Sequence, residues 1–203
     1  MSLKSTASVN HANEPLIFHG FEQRVQQISL SRFRTHCNRE DVILTEAVAR
    51  EDLPVYAHWL GVILVASPQV RLTFKVQYNA SEIAHFAQAA LQDSSNKSTQ
   101  KGVIADFMRE FCNLMGGYMK STFEEVGLNV GVSLPLVTRG FDEVFSVHTH
   151  EIRRSFSLWG LQCAGYKVFC NYEIEVLNPT ILPSLESIQS ESANNDDGSL
   201  EFL

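Results

Sequence analysis

The chain has 203 residues, 44% of them hydrophobic, and a formal charge of −7, enough length for one substantial core with tails. The charge is uneven, because Glu186, Glu191, Asp196, Asp197 and Glu201 follow Pro179 with no Lys or Arg, which leaves the body near −2 with 18 acidic and 16 basic residues. So neutral a body excludes the footprint of a nucleic-acid binder or of a protein held on an anionic membrane, and no apolar run serves as a secretory signal or nears the ~20 residues of a membrane span.

A soluble, cytoplasmic protein is therefore expected. Cys37, Cys112, Cys163 and Cys170 lie far apart with no Cys-x-x-Cys pair, so reduced, mostly buried thiols are expected in a chain large enough to fold without staples.

Residues 1–15, rich in Ser, Asn and Ala, are expected to form a flexible leader. Phe18, Phe21, Val25 and Ile28 then recur at helical spacing among polar residues, predicting an amphipathic helix that ends before 36–39. A short strand is expected over 42–48. The β-rich runs 59–65 and 70–76, joined by Ala66, Ser67, Pro68 and Gln69, predict a hairpin. Asn79 followed by Glu82 has the spacing of a capping box, with Ile83, Phe86, Ala87 and Ala90 continuing the helix.

After a polar loop over 93–100, a long helix is predicted over 103–126, stopped by Gly127. Strands follow at 130–134, 156–163 and 166–176, the last two turning at Ala164 and Gly165. One domain is expected over 16–178, with 179–203 an acidic, disordered tail. Many hairpin signals and few helices predict an α+β fold of two layers, long helices packed on one face of a largely antiparallel sheet.

The long helix carries the candidate chemistry. On a wheel of about 3.6 residues per turn, Ile104, Phe107, Phe111, Leu114, Met115 and Tyr118 form an apolar stripe facing the sheet. Asp106, Glu110, Asn113, Gly117, Lys120 and Glu124 form a neighbouring flank. Glu110 and Asn113 are three apart, so their side chains lean together and can address one partner at once, while Gly117, a turn further on, leaves a flat spot. Gly116 and Gly117 inside a helix each cost about 1 kcal/mol relative to alanine, so some close approach of backbone is expected, either of the protein's own sheet or of a partner. Glu-x-x-Asn also occurs at Glu175 and Asn178 and at Glu191 and Asn194. Only the first lies on a predicted helix. An exposed Glu and Asn on a helix flank are ordinarily just solvated, so residue type and spacing alone do not select a function.

The run Glu110-Phe-Cys-Asn113-Leu-Met-Gly-Gly117 resembles the helix signature of the CheX and CheC group of chemotaxis phosphatases, most closely the single-motif CheX type. Gly127, Pro135 and Gly140 match the segment that follows this signature, and 59–76 leading into Asn79-Ala-Ser-Glu82 is similar to the family's first hairpin and helix, so the resemblance covers about 53–177. Tyr118 stands where Asn is frequent, Gly116 where Ala is usual, and the loop 142–154 is unlike the family's.

The resemblance implies a phosphatase that hydrolyses the phosphoaspartate of a phosphorylated CheY-like response regulator. Asn113 would position the attacking water and Glu110 would meet a lysine of the regulator, with Asp106, Gly117 and Lys120 completing the partner-binding surface. It also implies a homodimer, no metal or cofactor held by this chain, and a divalent ion such as Mg2+ on the regulator. A carboxamide suits the task, since it can donate and accept while adding no negative charge beside a phosphoryl group. The alternative is a non-catalytic module of the same fold that binds a response regulator or a flagellar-switch component. Zinc chemistry through His148 and His150 is disfavoured because no Cys or carboxylate stands at ligand spacing. Cys112 is expected to be a core thiol.

Overall fold

The computed structural model describes residues 18–45, 58–91, 101–139 and 153–188. In chain order these form α1 (His19–Cys37), β1 (Ile43–Thr45), β2 (Trp59–Ala66), β3 (Val70–Tyr78), α2 (Ala80–Leu91), α3 (Lys101–Glu125), β4 (Gly131–Val132), β5 (Leu136–Arg139), β6 (Arg153–Cys163) and β7 (Tyr166–Val176). A 3-10 turn (Pro179–Ile181) and the short α4 (Leu182–Glu186) follow. The strands make one seven-stranded sheet in the order β1, β6, β7, β3, β2, with β4 and β5 both on the outer side of β2. Every described pairing is antiparallel. This is the α+β architecture expected from the hairpin signals.

Two turns set the register. Ala66 pairs with Arg71 across the β2–β3 hairpin. Cys163 pairs with Tyr166 across Ala164 and Gly165, both with positive φ, the backbone that a two-residue loop needs to match strand twist.

Aromatic side chains join the layers. Phe74 of β3 and Phe33 of α1 both meet Phe111 of α3, at ring-centroid distances of 6.2 and 5.0 Å. Phe21 of α1 meets Tyr172 of β7 edge-on at 5.3 Å and stacks near Phe123 at 5.7 Å. These rings are among the most deeply buried groups, and burial on this scale is the main favourable term in folding. Thus α1 and α3 cover one sheet face. On the other, Arg71, Glu175, Arg154 and Glu173 form a cross-strand ion ladder with contacts of 3.0, 2.9 and 3.4 Å, an arrangement favoured between opposed strand positions.

Several expectations are corrected. The strand over 130–134 is only Gly131–Val132, because the Leu64 amide donates to the Ser133 hydroxyl in place of a backbone carbonyl and Pro135 follows with no N–H; pairing with β2 resumes in β5, which was not foreseen. The strand expected over 42–48 is described only as Ile43–Thr45, and 46–48 lie outside the described residues. Asn79 caps α2 through its carbonyl, which accepts from the Glu82 and Ile83 amides. Its side-chain amide donates to Glu82, so the reciprocal capping box is not formed.

The largest difference is at the C-terminus. Residues 179–188 are not a disordered tail. Asn178 caps the 3-10 turn by accepting from the Thr180 amide at 3.1 Å, and Ile181, Leu185 and Ile188 are buried in the core. The acidic count after Pro179 hid this apolar spacing. The leader, the loop 93–100, His148, His150 and 189–203 lie outside the described residues.

Candidate functional site on helix α3

Helix α3 is packed or clasped on three of its sides. Its buried residues are Ile104, Phe107, Met108, Phe111, Cys112, Met115, Met119, Thr122 and Phe123. The centre of this face is turned from the expected stripe, since Leu114 and Tyr118 are only half-buried and Met108, Cys112, Met119 and Phe123 carry the contact. The helix rides close on β2. Cys112 Sγ lies 3.0 Å from where a Cβ on Gly61 would stand. The Cys112 thiol is fully buried, and desolvation pushes its pKa up to about 12. It is a packing residue, with no thiolate to offer at neutral pH.

The two ends of α3 are pinned. Gly127, with φ of 79°, ends it in a Schellman arrangement in which the Leu128 amide donates to the Phe123 carbonyl and the Gly127 amide to that of Glu124. On α1, Arg24 donates through Nε to the Tyr118 hydroxyl at 2.6 Å and through both terminal nitrogens to Glu125 at 2.7 and 2.8 Å. Tyr118, at the position where the resembled family often has Asn, is thus engaged in clasping the two helices. Nearer the N-terminal half, the His36 ring stacks on Phe107 at 4.1 Å, with Nε2 2.8 Å from the Phe107 carbonyl. A carbonyl only accepts, so Nε2 carries a proton. Burial lowers the His36 pKa, partly offset by that hydrogen bond and by the charge of Glu110.

The fourth side is open. Asp106, Glu110, Asn113, Gly117, Ser121 and Glu124 are exposed in a line along the helix, as expected for all but Ser121, which the same wheel spacing would have placed there. Glu110 Oε2 and Asn113 Nδ2 are 3.5 Å apart, at the limit of a hydrogen bond, so both groups keep their capacity for other partners. Asp106 is ion-paired with Arg109, and the half-buried Lys120 lies 3.6 Å from Glu124. Such surface pairs contribute little and exchange readily.

The glycines divide cleanly. A Cβ on Gly116 would lie 2.5 Å from Ile63 Cδ1 and 3.1 Å from Val132 Cγ1, whereas one on Gly117 would meet nothing within 4 Å. Gly116 therefore answers to the protein's own sheet, through side chains of β2 and β4 and not through the backbone approach that was expected. Gly117 does not, and beside it the helix backbone is bare.

Among the described residues there is no group of His, Cys, Asp and Glu able to hold a metal ion, and no described helix is long and apolar enough to cross a membrane.

No protein-family model and no curated protein matches the sequence, but the fold is shared with solved structures. A CheC-like superfamily protein from Shewanella sp. PV-4 superimposes with a TM-score of 0.60 at 15% identity, over 76% of this chain and 97% of that one. A chain of the CheX–CheY–BeF3–Mg2+ complex from Borrelia burgdorferi does so with a TM-score of 0.59 at 12% identity, over 79% and 99%. FliY from Thermotoga maritima matches with a TM-score of 0.52 at 14% identity, over 82% and 92%. The chain thus has the fold of the CheX- and CheC-like chemotaxis proteins.

Proposed function

We propose that this chain is a phosphatase acting on the phosphoaspartate of a phosphorylated CheY-like response regulator. The observation that carries the reading is the exposed line of Glu110, Asn113 and Gly117 on a helix otherwise buried or clasped on every side. It offers an acceptor, a donor with acceptor, and bare backbone at Gly117, where even a Cβ would meet nothing within 4 Å. The likeness to a chain of a CheX–CheY complex supports the partner class.

The chemistry asks little of this chain. Water attacks phosphorus in line with the acyl phosphate bond; that bond breaks, the aspartate leaves as a carboxylate, and the attacking water's proton passes to phosphate or solvent. The transition state is loose, so positioning the water supplies most of what a protein can add. Asn113 accepts from the water and orients it. Glu110 binds a lysine of the regulator, which fixes register and withdraws positive charge from the phosphorylated site. Asp106, Gly117 and Lys120 frame the contact. The divalent ion, Mg2+, belongs to the regulator, and this chain is proposed to bring no metal or cofactor of its own.

A homodimer is part of the proposal. Strand β1 is a sheet edge among the described residues and exposes Ile43, and unpaired edges are where other chains extend a sheet. Light scattering should return twice the chain mass of 22.8 kDa.

The decisive assay follows phosphate release from a phosphorylated regulator with the wild-type protein and with Asn113→Ala. Loss of release in the variant supports the reading, and full retention refutes it. The second reading, a non-catalytic module that binds a regulator or flagellar-switch component, is favoured by the withdrawal of Tyr118 into the clasp with Arg24. It predicts tight binding with no release from either protein.

A further inference from the structure

The exposed line of α3 is polar from end to end, yet stable protein interfaces gain most of their energy from a few desolvated apolar or aromatic anchors. Apolar side chains lie on β4 and on the link from it to β5, two strands that both contact α3. Val132 of β4 is 38% exposed and Leu134 is 91% exposed, the most exposed of the large hydrophobics among the described residues. Val132 Cγ1 is the atom that would lie 3.1 Å from a Cβ on Gly116, so the apolar edge begins where the buried glycine ends and the bare Gly117 follows.

Leu134 is held, not loose. The Ser133 amide donates to the Leu64 carbonyl at 2.8 Å, and the Leu64 amide donates in return to Ser133 Oγ at 3.0 Å. The Ser133 hydroxyl then donates to the Leu134 carbonyl. A side-chain oxygen here replaces a backbone acceptor, which breaks the ladder between β4 and β5, and Pro135 follows with no N–H. An edge interrupted in this way is poorly suited to adding a strand from a second copy. It suits a partner that meets side chains.

We infer that Val132 and Leu134 are the apolar anchors of the docking surface for the same response regulator, packing against an apolar patch beside its phosphorylation site while Glu110 and Asn113 reach the site itself. The inference rests on the proposed function. Leu136 is not included: its pairing with Val62, next to Val137 opposite Gly61, turns it to the sheet face away from α3.

The test uses a panel of purified CheY-type receiver proteins activated with beryllofluoride and Mg2+ for binding, or phosphorylated for turnover, against the wild-type chain, Leu134→Ser, Val132→Ser and Asn113→Ala. Leu134→Ser should weaken binding and raise KM about tenfold, with the loss in KM and not in kcat, and with melting temperature and oligomeric state unchanged because the side chain is outside the core. Wild-type affinity in Leu134→Ser, alongside loss of turnover in Asn113→Ala, overturns this inference and leaves the phosphatase reading standing. A change in oligomeric state in Leu134→Ser assigns the edge to a second copy and also overturns it. If the wild-type chain binds no receiver in the panel, the functional reading fails and the inference fails with it.

Discussion

Gly116 and Gly117 are adjacent in sequence and face different surroundings on α3, the first pressed against Ile63 and the second open to solvent. Substitution should separate them. Gly116→Ala forces a methyl into Ile63 and should cost about 1–3 kcal/mol by overpacking. Gly117→Ala should leave the fold intact or strengthen it by up to about 1 kcal/mol through helix propensity, while lowering kcat/KM toward a phosphorylated regulator. Thermal melts and phosphate release on the two variants check both halves.

Glu110 and Asn113 should differ in kind. Asn113→Ala should cost about 2–4 kcal/mol of transition-state stabilisation, the size of one positioned catalytic hydrogen bond, and leave regulator binding nearly unchanged because the amide is proposed to act on the water alone. Glu110→Ala should weaken binding as well as turnover, since its carboxylate is proposed to touch the regulator in the ground state too. Calorimetric titration beside single-turnover phosphate release distinguishes them. Both residues are exposed, so circular dichroism spectra should not change.

Removing residues 179–203 should lower the thermal midpoint strongly, because Ile181, Leu185 and Ile188 all leave the core and truncating even one buried aliphatic side chain costs about 2–5 kcal/mol. Removing 189–203 alone takes away none of these three and should leave the thermal midpoint in place. Comparing the two truncations in one melting series gives the answer directly.

The clasp between helices should be measurable at Arg24. Arg24→Ala breaks the bidentate contact with Glu125 and the bond to Tyr118, at about 1–3 kcal/mol for hydrogen bonds to a charged group, reduced by the solvent that reaches Glu125. Tyr118→Phe removes one bond and should cost about 1 kcal/mol. Chemical denaturation with a double-mutant cycle resolves their coupling.

His36 makes stability depend on pH in one direction. Burial depresses its folded pKa below the ordinary 6.5, so as pH falls through 6.5 the unfolded chain binds a proton that the folded chain resists, and unfolding becomes easier. Stability attributable to this residue is full above that value and declines below it. Denaturation midpoints from pH 7.5 to 5 should fall more steeply in the wild type than in His36→Gln.

The exposed line of α3 was legible in the sequence because a regular helix fixes azimuth from residue number, which placed Asp106, Glu110, Asn113 and Gly117 correctly. What periodicity could not supply was contact across the chain. Arg24 lies 94 residues from Tyr118 and 101 from Glu125, and nothing local marks it as buried. Nor does spacing separate two neighbouring glycines until Ile63 is seen against one of them. The turned centre of the buried face has a simpler cause, that Cys112 and the Met residues pack as well as Leu114 but weigh less in an apolar count. Leu134 carried a readable signal, a large apolar residue before a proline at a strand end, which points to an edge.

The separation of the two sides of α3 bears on how such a protein changes over time. Every side chain that holds the helix to the sheet lies on one set of azimuths and every side chain proposed to act on a partner lies on another, so selection can alter either without consulting the other. The proposed activity could be lost or regained at Asn113 with no debt in folding, while the core drifts through Met, Cys and Phe beneath it. Low sequence identity over a shared fold is the pattern such independence leaves behind.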